Sequence, residues 1–340
     1  MRKPVVLITG ANGEIGHGLI ERLAEEGGRA IVTLDVAPLD PALGRRVQRE
    51  ITASILDAGA LERVLFEFEV DLVFHLAAVL STRAEFSPVT AHRVNVEGTL
   101  NLLEFAHHEG QSHGRQVVFV YPSSIAVYGL PSLEEKRRAG RVGERDWIDP
   151  TTMYGCNKLY SEQLGRYYAR HYKQLAATSH ARSVDFRALR LPGLISATTL
   201  PAGGTSDYAP EMMHAAAQHH AYACFVRPDA KIPFMAMPDG IDALLALARA
   251  PRERLSQTAY NVRAFAPTAD DIRVEALRAF PQARLEYRVD EKRQTIIDAW
   301  PQDVDDSAAR RDWGFAPAYD FERAFRDYLI PTIRKRYGGM

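Results

Sequence analysis

Tyr154 and Lys158 stand four residues apart in the stretch YGCNK, a spacing that could support proton transfer. Residues four apart lie on one face of a helix, so the ammonium group can sit beside the phenol. A tyrosine has an ordinary pKa of about 10, and a neighbouring positive charge favours its phenolate form. Such a pair could remove a proton from a substrate hydroxyl. The spacing is common, and it also fits an unremarkable pair on a surface helix.

Two serines, Ser123 and Ser124, end the apolar run VVFVYPSS at 117–124. A run of this kind predicts a strand buried on both faces. In doubly wound sheets, ligands bind outside the carboxyl ends of the strands. We therefore expect these serines to lie at the same edge of a sheet as the site that Tyr154 serves.

Three glycines, Gly10, Gly13 and Gly16, follow the apolar run VVLIT and open a helical pattern. Glycine permits a tight turn and close approach of backbone N–H groups to a pyrophosphate, which the helix N-terminus also attracts. A glycine triplet alone is a weak signal, but its position between strand and helix indicates a dinucleotide site. Asp35 ends the next strand and can bind both ribose hydroxyls of NAD. The next residues, Val-Ala-Pro, offer no arginine for the 2′-phosphate of NADP.

The elements that must position these residues alternate between strand and helix. Apolar runs predict strands at 5–9, 30–35, 71–78, 117–124 and 184–191. A helical pattern follows the first strand, with Ile15, Leu19, Ile20 and Leu23 on one face, and further helices are predicted near 58–68, 89–108 and 154–172. This alternation predicts an α/β fold with a Rossmann-type, doubly wound parallel sheet. After residue 191 short strands and helices mix with loops. We therefore expect a dinucleotide-binding domain at 1–191 and a smaller α/β substrate lobe at 192–340, with some chain returning to the first domain.

Composition sets limits on partners and location. The chain has 340 residues, a formal net charge of −1 and 46% hydrophobic residues, as in ordinary soluble domains. This charge gives no argument for nucleic acid or membrane binding, and no apolar run is long enough for a signal peptide or a spanning helix. Two cysteines suggest no disulfide framework, and the spacing of the histidines suggests no metal site. We expect a cytoplasmic protein.

Several motifs together carry a family resemblance. The glycine turn, Asp35, HLAA, VNVEGTLNLLE, PSSIAVYG and YGCNK resemble the extended short-chain dehydrogenase/reductases. The resemblance covers essentially the whole chain. It implies that Ser124 and Tyr154 hold a substrate hydroxyl and that Lys158 holds the nicotinamide ribose. It also implies that NAD contacts come from Gly10, Asn12, Gly13, Glu14, Ile15, Gly16, Asp35, Ile55, Leu56, Asp57, Leu76, Ala77, Ala78, Asn95, Tyr154, Lys158 and Leu191.

The second half narrows the resemblance within that family. The stretches LSTRAEFSP, RLPGLISATTLPAGGTSDYAPEMMHAA, MAMPDGIDALLAL, AYNVRAFAPT and WPQDVDDSAARRDWGFAPAYD are similar to those of its threonine dehydrogenases. This similarity implies oxidation of the C3 hydroxyl of L-threonine to 2-amino-3-oxobutanoate. It places the substrate near Ser81, Ser123, Ser124, Tyr154, Gly193, Thr205, Ser206 and Asp207. The GGTSDYA segment could instead be a lid, or the capped start of a helix near Pro210.

Other interpretations stay open at this point. Relative to that group the chain has extra residues near 107–116, 131–145 and 172–183, so the substrate could be another small β-hydroxy acid. A sugar-nucleotide epimerase or dehydratase would need a long cleft with basic or aromatic side chains to bind a diphosphate and a base, and Arg187, Arg190 and Arg227 are candidates for the basic ones. A non-enzymatic NAD-binding regulator is disfavoured, because the tyrosine and the lysine are both present. The resemblance implies a homodimer built from helices 89–108 and 154–172, although their apolar faces could simply cover the sheet.

Overall fold

The structure is a computed structural model that describes residues 4–176, 182–201 and 203–338. Its strands are β1 (Pro4–Thr9), β2 (Ala30–Asp35), β3 (Arg49–Thr52), β4 (Glu69–His75), β5 (Val117–Ser124), β6 (Arg141–Val142), β7 (Val184–Leu191), β8 (Gly193–Ile195), β9 (Tyr222–Cys224), β10 (Phe234–Ala236), β11 (Ala259–Asn261), β12 (Leu285–Tyr287) and β13 (Asp303–Val304). Seven of them form one parallel sheet in the order β3-β2-β1-β4-β5-β7-β11. The predicted doubly wound sheet is confirmed.

Helices cover both faces of this sheet, and further helices lie in the second half of the chain. They are α1 (Glu14–Glu26), α2 (Pro41–Gly44), α3 (Ala58–Glu67), α4 (Ser81–Phe86), α5 (Pro88–His92), α6 (Gly98–His113), α7 (Leu133–Ala139), α8 (Met153–Arg170), α9 (Tyr208–Ala217), α10 (Met237–Arg249), α11 (Ala269–Ala279), α12 (Glu291–Ala299), α13 (Ser307–Trp313), α14 (Phe321–Arg323) and α15 (Ile330–Tyr337). None of the helices in the described ranges is long and apolar enough to cross a bilayer.

The continuous apolar runs are explained by burial on both faces of the sheet. In β1, Val6 and Ile8 belong to a core cluster that includes residues of α1 and α10. Val5 and Leu7 point the other way, into a cluster with residues of α3, α6 and α8. Successive side chains of a strand face opposite sides, so a strand with helices on both sides must be apolar throughout.

The boundaries of several elements differ from the predictions. Strand β4 begins at Glu69 and ends at His75, so the chain beyond it, predicted as strand to residue 78, has left the sheet. The helix predicted at 89–108 is α5 followed by a π-helical turn, Arg93–Glu97, and then α6. Strand β3 was not predicted, because its sequence REIT is mostly exposed and lacks an apolar run.

The second half combines a small lobe with chain that returns to the main sheet. Strand β11 pairs with β7 at the sheet edge, and α10 packs on the sheet beside α1. The lobe itself has a separate core, which includes residues of α9, α11 and α15. The chain therefore leaves the sheet after β7, folds back on it with α10 and β11, and then completes the lobe. Of the extra segment near 172–183, residues 177–181 lie outside the described residues.

Candidate active site

One cavity of about 650 Å³ opens at the carboxyl ends of the parallel strands. Its wall combines the glycine turn, the ends of β2, β4, β5 and β7, and the loop before α9. Most of the residues expected at the site lie on this wall: Gly10, Gly13, Glu14, Ile15, Gly16, Asp35, Ile55, Leu76, Ala77, Ala78, Ser81, Ser123, Ser124, Tyr154, Lys158, Leu191, Gly193, Thr205, Ser206 and Asp207. The fold thus brings two halves of the sequence to a single cleft.

The glycine turn leaves the start of α1 open to a ligand. Gly10 has a φ of 68°, which favours glycine. A side chain at Gly16 would overlap the backbone of Ala11, so the helix approaches the turn closely. Gly13 is the N-cap residue, and no side chain among the described residues caps the helix there. The first N–H groups of a helix attract anions, so this end of the cavity suits a pyrophosphate.

Asp35 stands at the end of β2, on the cavity wall beside the glycine turn. Its two carboxylate oxygens accept hydrogen bonds from the backbone N–H groups of Asn12, at 2.9 Å, and Ala37, at 3.1 Å. These contacts fix the carboxylate next to the helix start. A fixed anion here fits the two hydroxyls of an unphosphorylated ribose and repels a 2′-phosphate, so the residues present fit NAD.

Four expected cofactor residues do not lie on the cavity wall. Asp57 caps α3 by accepting a hydrogen bond from Ala60, and Leu56 is exposed beside it. The wall at that place is formed by Ala53, Ser54 and Ile55. Asn12 contributes its backbone N–H to Asp35. The remaining one, Asn95, is buried behind the wall.

Asn95 lies behind the cavity wall and forms hydrogen bonds with its backbone at Val79. Its side-chain oxygen accepts from the Val79 N–H at 2.7 Å, and its amide donates to the Val79 carbonyl at 3.0 Å. Asn95 lies in the π-helical turn before α6, where one extra residue per turn alters which side chains face inward. It holds the chain that follows β4 in place.

Tyr154 and Lys158 lie on the first turns of α8, against the end of β5. Thr152 caps this helix by accepting a hydrogen bond from the Gly155 N–H at 3.0 Å. A side chain at Gly155 would overlap the carbonyl of Ala126, so glycine lets the helix start touch the chain after β5. Lys158 Nζ donates to the carbonyl of Pro122 at 2.6 Å and lies 5.4 Å from the centre of the Tyr154 ring.

Burial shifts both groups of this pair toward their neutral forms. It raises the pKa of the Tyr154 phenol and lowers the pKa of Lys158 to about 7, while the charge of Glu162 opposes the second shift. Burial also lowers the pKa of His75, a neighbour of Lys158, to about 3. Because burial raises the pKa of Tyr154, its phenol needs a positive charge nearby to become a phenolate at neutral pH.

The two serines at the end of β5 are in different environments. Ser124 is half-buried on the cavity wall, and its Oγ accepts a hydrogen bond from the Ala126 N–H at 3.1 Å, which leaves its own proton to donate. Ser123 is buried, and its hydroxyl donates to Glu162 at 2.5 Å. Of the two hydroxyls, that of Ser124 is the one suited to a ligand.

The loop before α9 meets α4 across the cavity. The Ser81 hydroxyl accepts from the backbone N–H and the hydroxyl of Thr205, at 3.0 and 3.1 Å. Asp207 is the residue before α9, but its side chain does not cap the helix; it accepts from the N–H groups of Gly203, at 2.9 Å, and Gly204, at 2.6 Å. The helix begins at Tyr208 with Asp207 as its N-cap residue, so the alternative of a helix start near Pro210 is close in position, but the side-chain cap it assumed is not made.

Some wall residues were not predicted from the sequence. Trp300 lies both in the lobe core and on the cavity wall. Met237 and Arg83 are also on the wall. Trp300 follows α12, more than 140 positions after Tyr154, and no spacing in the sequence links the two. Its position depends on how the C-terminal lobe folds back.

The three arginines considered as grips for a sugar nucleotide are engaged elsewhere. Arg187 is buried and pairs with Asp185. It also donates to the carbonyls of Leu247 and Ala248 at the end of α10 and of Ala250 just after it. Arg190 is buried with Glu162. Arg227 pairs with Asp298 and Asp229. None of the three belongs to the described cavity wall.

A parallel sheet with a glycine turn, a carboxylate at the end of β2 and a buried tyrosine and lysine defines a dinucleotide-dependent oxidoreductase. The sequence matches the NAD dependent epimerase/dehydratase family over residues 6–262. It is 35% identical over 333 residues to the mitochondrial L-threonine 3-dehydrogenase of Bos taurus, covering 98% of this chain and 82% of that one.

Two solved structures are also similar. One is a GalE-like L-threonine dehydrogenase from Cupriavidus necator in its holo form, with a TM-score of 0.83, 35% identity and coverage of 96% of this chain and 99% of that chain. The other is a monomeric L-threonine 3-dehydrogenase from a metagenome, with a TM-score of 0.84, 31% identity and coverage of 97% and 99%. This chain belongs to the NAD dependent epimerase/dehydratase family. It is an NAD-dependent oxidoreductase.

Proposed function

We propose that the protein oxidises the C3 hydroxyl of L-threonine to 2-amino-3-oxobutanoate. The observation that carries this proposal is the contact between Ser81 and Thr205, two hydroxyl-bearing residues on the wall of the same cavity as Tyr154. The similarity to threonine dehydrogenases over nearly the whole chain supports it.

The volume of the cavity supports a small substrate. The cavity of about 650 Å³ must hold the dinucleotide as well as the substrate. Sites for a single drug-sized ligand already occupy about 300 to 1,000 Å³, so little space remains for a second large molecule. A substrate of the size of an amino acid fits within this limit.

In the proposed reaction, Tyr154 removes the proton of the C3 hydroxyl and Ser124 donates a hydrogen bond to the same oxygen. Bound NAD supplies the acceptor for the hydride that leaves C3. The Lys158 ammonium stabilises the Tyr154 phenolate, against the shift that burial imposes on the phenol. As the carbonyl forms, the Ser124 hydroxyl stays directed at its oxygen. A positioned base of this kind contributes about 10²- to 10⁴-fold in rate.

The polar ends of the amino acid have complementary groups on the lobe side. The Ser81 hydroxyl accepts two hydrogen bonds from Thr205 and keeps its own proton to donate. Together with Ser206 it offers donors for the substrate carboxylate. The carboxylate of Asp207 supplies the negative charge that an ammonium group requires, and its hydrogen bonds to Gly203 and Gly204 fix its position. Gly193 lies on the same wall.

The test is the formation of NADH from NAD with L-threonine, L-serine, 3-hydroxybutyrate and UDP-sugars, each repeated with NADP. We expect turnover with L-threonine and NAD, and little with NADP. Turnover with 3-hydroxybutyrate but not with L-threonine would refute the amino-acid proposal and favour another small β-hydroxy acid. Conversion of a UDP-sugar without net NADH would favour an epimerase, which returns the hydride.

We also propose a cytoplasmic homodimer. The apolar faces of α6 and α8 cover the sheet, as the alternative interpretation required, but Leu100, Tyr160 and Tyr167 stay exposed on their outer sides. These side chains could pair across a two-fold axis. One similar structure is described as monomeric, so light scattering at micromolar concentration is the test. A monomer at that concentration would refute the dimer.

A further inference from the structure

A buried ion pair lies directly behind the proposed catalytic residues. Arg190 of β7 and Glu162 of α8 form a bidentate ion pair, in which Nε donates to Oε1 at 2.9 Å and Nη2 donates to Oε2 at 2.6 Å. Both side chains are only 3% exposed. Removing one partner of such a pair leaves an uncompensated buried charge. Each of the two charges therefore has a strong effect on the groups around it.

The ion pair is linked to the end of β5 through Ser123. The Ser123 hydroxyl donates to Glu162 Oε1 at 2.5 Å. Ser123 lies between Ser124 and Pro122, and the Pro122 carbonyl accepts the hydrogen bond of Lys158 at 2.6 Å. The strand end that presents Ser124 and anchors Lys158 is therefore tied to the carboxylate of Glu162.

Glu162 also lies one helical turn after Lys158 on α8. The other titratable groups around the lysine are Tyr154 on the same helix, Tyr121 of β5, whose ring centre is 4.4 Å from Nζ, and His75 of β4. Burial raises the pKa of both tyrosines and lowers that of His75 to about 3, so all three are neutral near pH 7. Glu162 is the charged group whose field acts on Lys158, and Arg190 is paired with it.

We propose that Glu162 and Arg190 are positioning residues for the catalytic pair. Glu162 keeps the Lys158 ammonium charged and, through Ser123, fixes the end of β5; Arg190 holds Glu162 and partly offsets its field. This inference rests on the roles proposed for Tyr154 and Lys158. The two charges act on Lys158 with opposite sign, although both support the same fold.

The opposite signs give the test. Glu162→Gln removes the attraction and leaves Arg190 unopposed, so the pKa of Lys158 falls below its present value of about 7. Arg190→Gln leaves the carboxylate unopposed, so that pKa rises. A charge within about 4 to 6 Å of a group moves its pKa by about 1 to 3 units, so the size of each shift measures how strongly that charge acts on Lys158. The double variant, which removes both charges, should return the pKa toward the wild-type value.

The measurement is a ¹³C-lysine NMR titration of the ligand-free enzyme, with the Lys158 signal identified by its loss in Lys158→Met. In kcat/KM, the limb that rises with pH should move to higher pH in Glu162→Gln, because a neutral lysine no longer stabilises the phenolate. It should move to lower pH in Arg190→Gln. Ser123→Ala keeps both charges, so it should lower kcat while the Lys158 pKa stays within a few tenths of a unit.

Shifts of the same sign in the two variants, or no shift, would overturn the proposal, because a purely structural pair lowers stability without moving Lys158 in opposite directions. Where Glu162→Gln fails to fold, Glu162→Asp, which keeps the charge, and the double variant supply the comparison. The NMR titration needs no substrate. Opposite shifts in an enzyme that is inactive on L-threonine would refute the proposed substrate and support this inference.

Discussion

Ser81 and Thr205 lie 124 positions apart in the sequence, yet the Ser81 hydroxyl accepts hydrogen bonds from both the N–H and the hydroxyl of Thr205, at 3.0 and 3.1 Å. The first residue begins α4, next to the cofactor side of the cleft, and the second lies in the loop before α9. Their contact joins the two sides of the cavity where we place the substrate.

Replacing Thr205 with valine tests this contact. Valine keeps the shape but removes the hydroxyl, so Ser81 loses one of its two hydrogen bonds in a buried place. A lost buried hydrogen bond costs about 1 to 3 kcal/mol, and we expect kcat/KM for L-threonine to fall about 5- to 160-fold. Thr205→Ser keeps the hydroxyl and should stay within about threefold. Steady-state kinetics that do not distinguish the two variants would contradict the role given to Thr205.

Replacing Tyr154 with phenylalanine removes the proposed base without changing the ring. We expect turnover to fall about 10²- to 10⁴-fold, while NAD binding, followed by protein fluorescence, changes little. Cys156 is exposed on the same helix turn, so Cys156→Ser is the matched control and should keep full activity. Near-normal turnover in Tyr154→Phe would refute the proposed mechanism.

Asp35 is expected to select NAD over NADP. Asp35→Asn removes the charge but keeps a polar group of similar size, so it should weaken NAD binding and permit NADP. Hydrogen bonds to charged groups are worth about 1.5 to 3 kcal/mol, which predicts a loss of about 10- to 100-fold in kcat/KM with NAD. Asparagine has one acceptor oxygen, so the variant keeps only one of the two contacts with Asn12 and Ala37, and thermal melting measures the resulting loss of stability. An unchanged ratio of activities with the two cofactors would argue against this role.

The free energy of unfolding should decrease as the pH is lowered, because of His75. Its ring bonds to Thr9 at 2.7 Å and Thr99 at 2.9 Å, and burial lowers its pKa to about 3, below the ordinary value of about 6.5. The unfolded chain therefore binds an extra proton between these values. The stabilisation is complete above about pH 6.5 and is lost as the pH falls toward about 3, by up to about 1.4 kcal/mol per unit.

Urea unfolding at about pH 7 and about pH 5 measures this effect. His75→Gln keeps a polar side chain that cannot titrate, so its free energy of unfolding should depend less steeply on pH than that of the wild type. His108 is an exposed histidine of α6, and His108→Gln is the matched control for replacing an imidazole with an amide. Equal slopes in the wild type and His75→Gln would show that His75 is not the group involved.

The sequence predicted the parts of the fold whose signals are local. Runs such as VVLIT and VVFVYPSS are apolar because helices cover both faces of their strands, and the strands lie where the runs do. Strand β3 is an exposed edge strand whose pairing with β2 holds it in the sheet. An edge strand needs no apolar run, so propensity and pattern gave no signal for it.

The candidate site shows the same division. Gly10 to Gly16, Asp35, Ser124, Tyr154 and Lys158 form short motifs, and all of these motifs reach the cavity. Trp300 reaches it through long-range folding of the lobe, and Asp57 turns to cap its own helix. The contact of Glu162 with Arg190 depends on the register of β7 against α8, which no spacing within either element reveals.

Asn95 meets Val79 through both its carbonyl oxygen and its amide, as a neighbouring strand would. The chain after β4 has left the sheet, yet at Val79 it is paired as firmly as if it had a partner strand. The opposite wall, from Gly203 to Asp207, relies on side-chain contacts with Ser81 and Asp207. We expect amide exchange to be slow at Val79 and faster at Thr205. The wall at Val79 would then stay fixed, and only the lobe side of the cleft would adjust as ligands enter and leave.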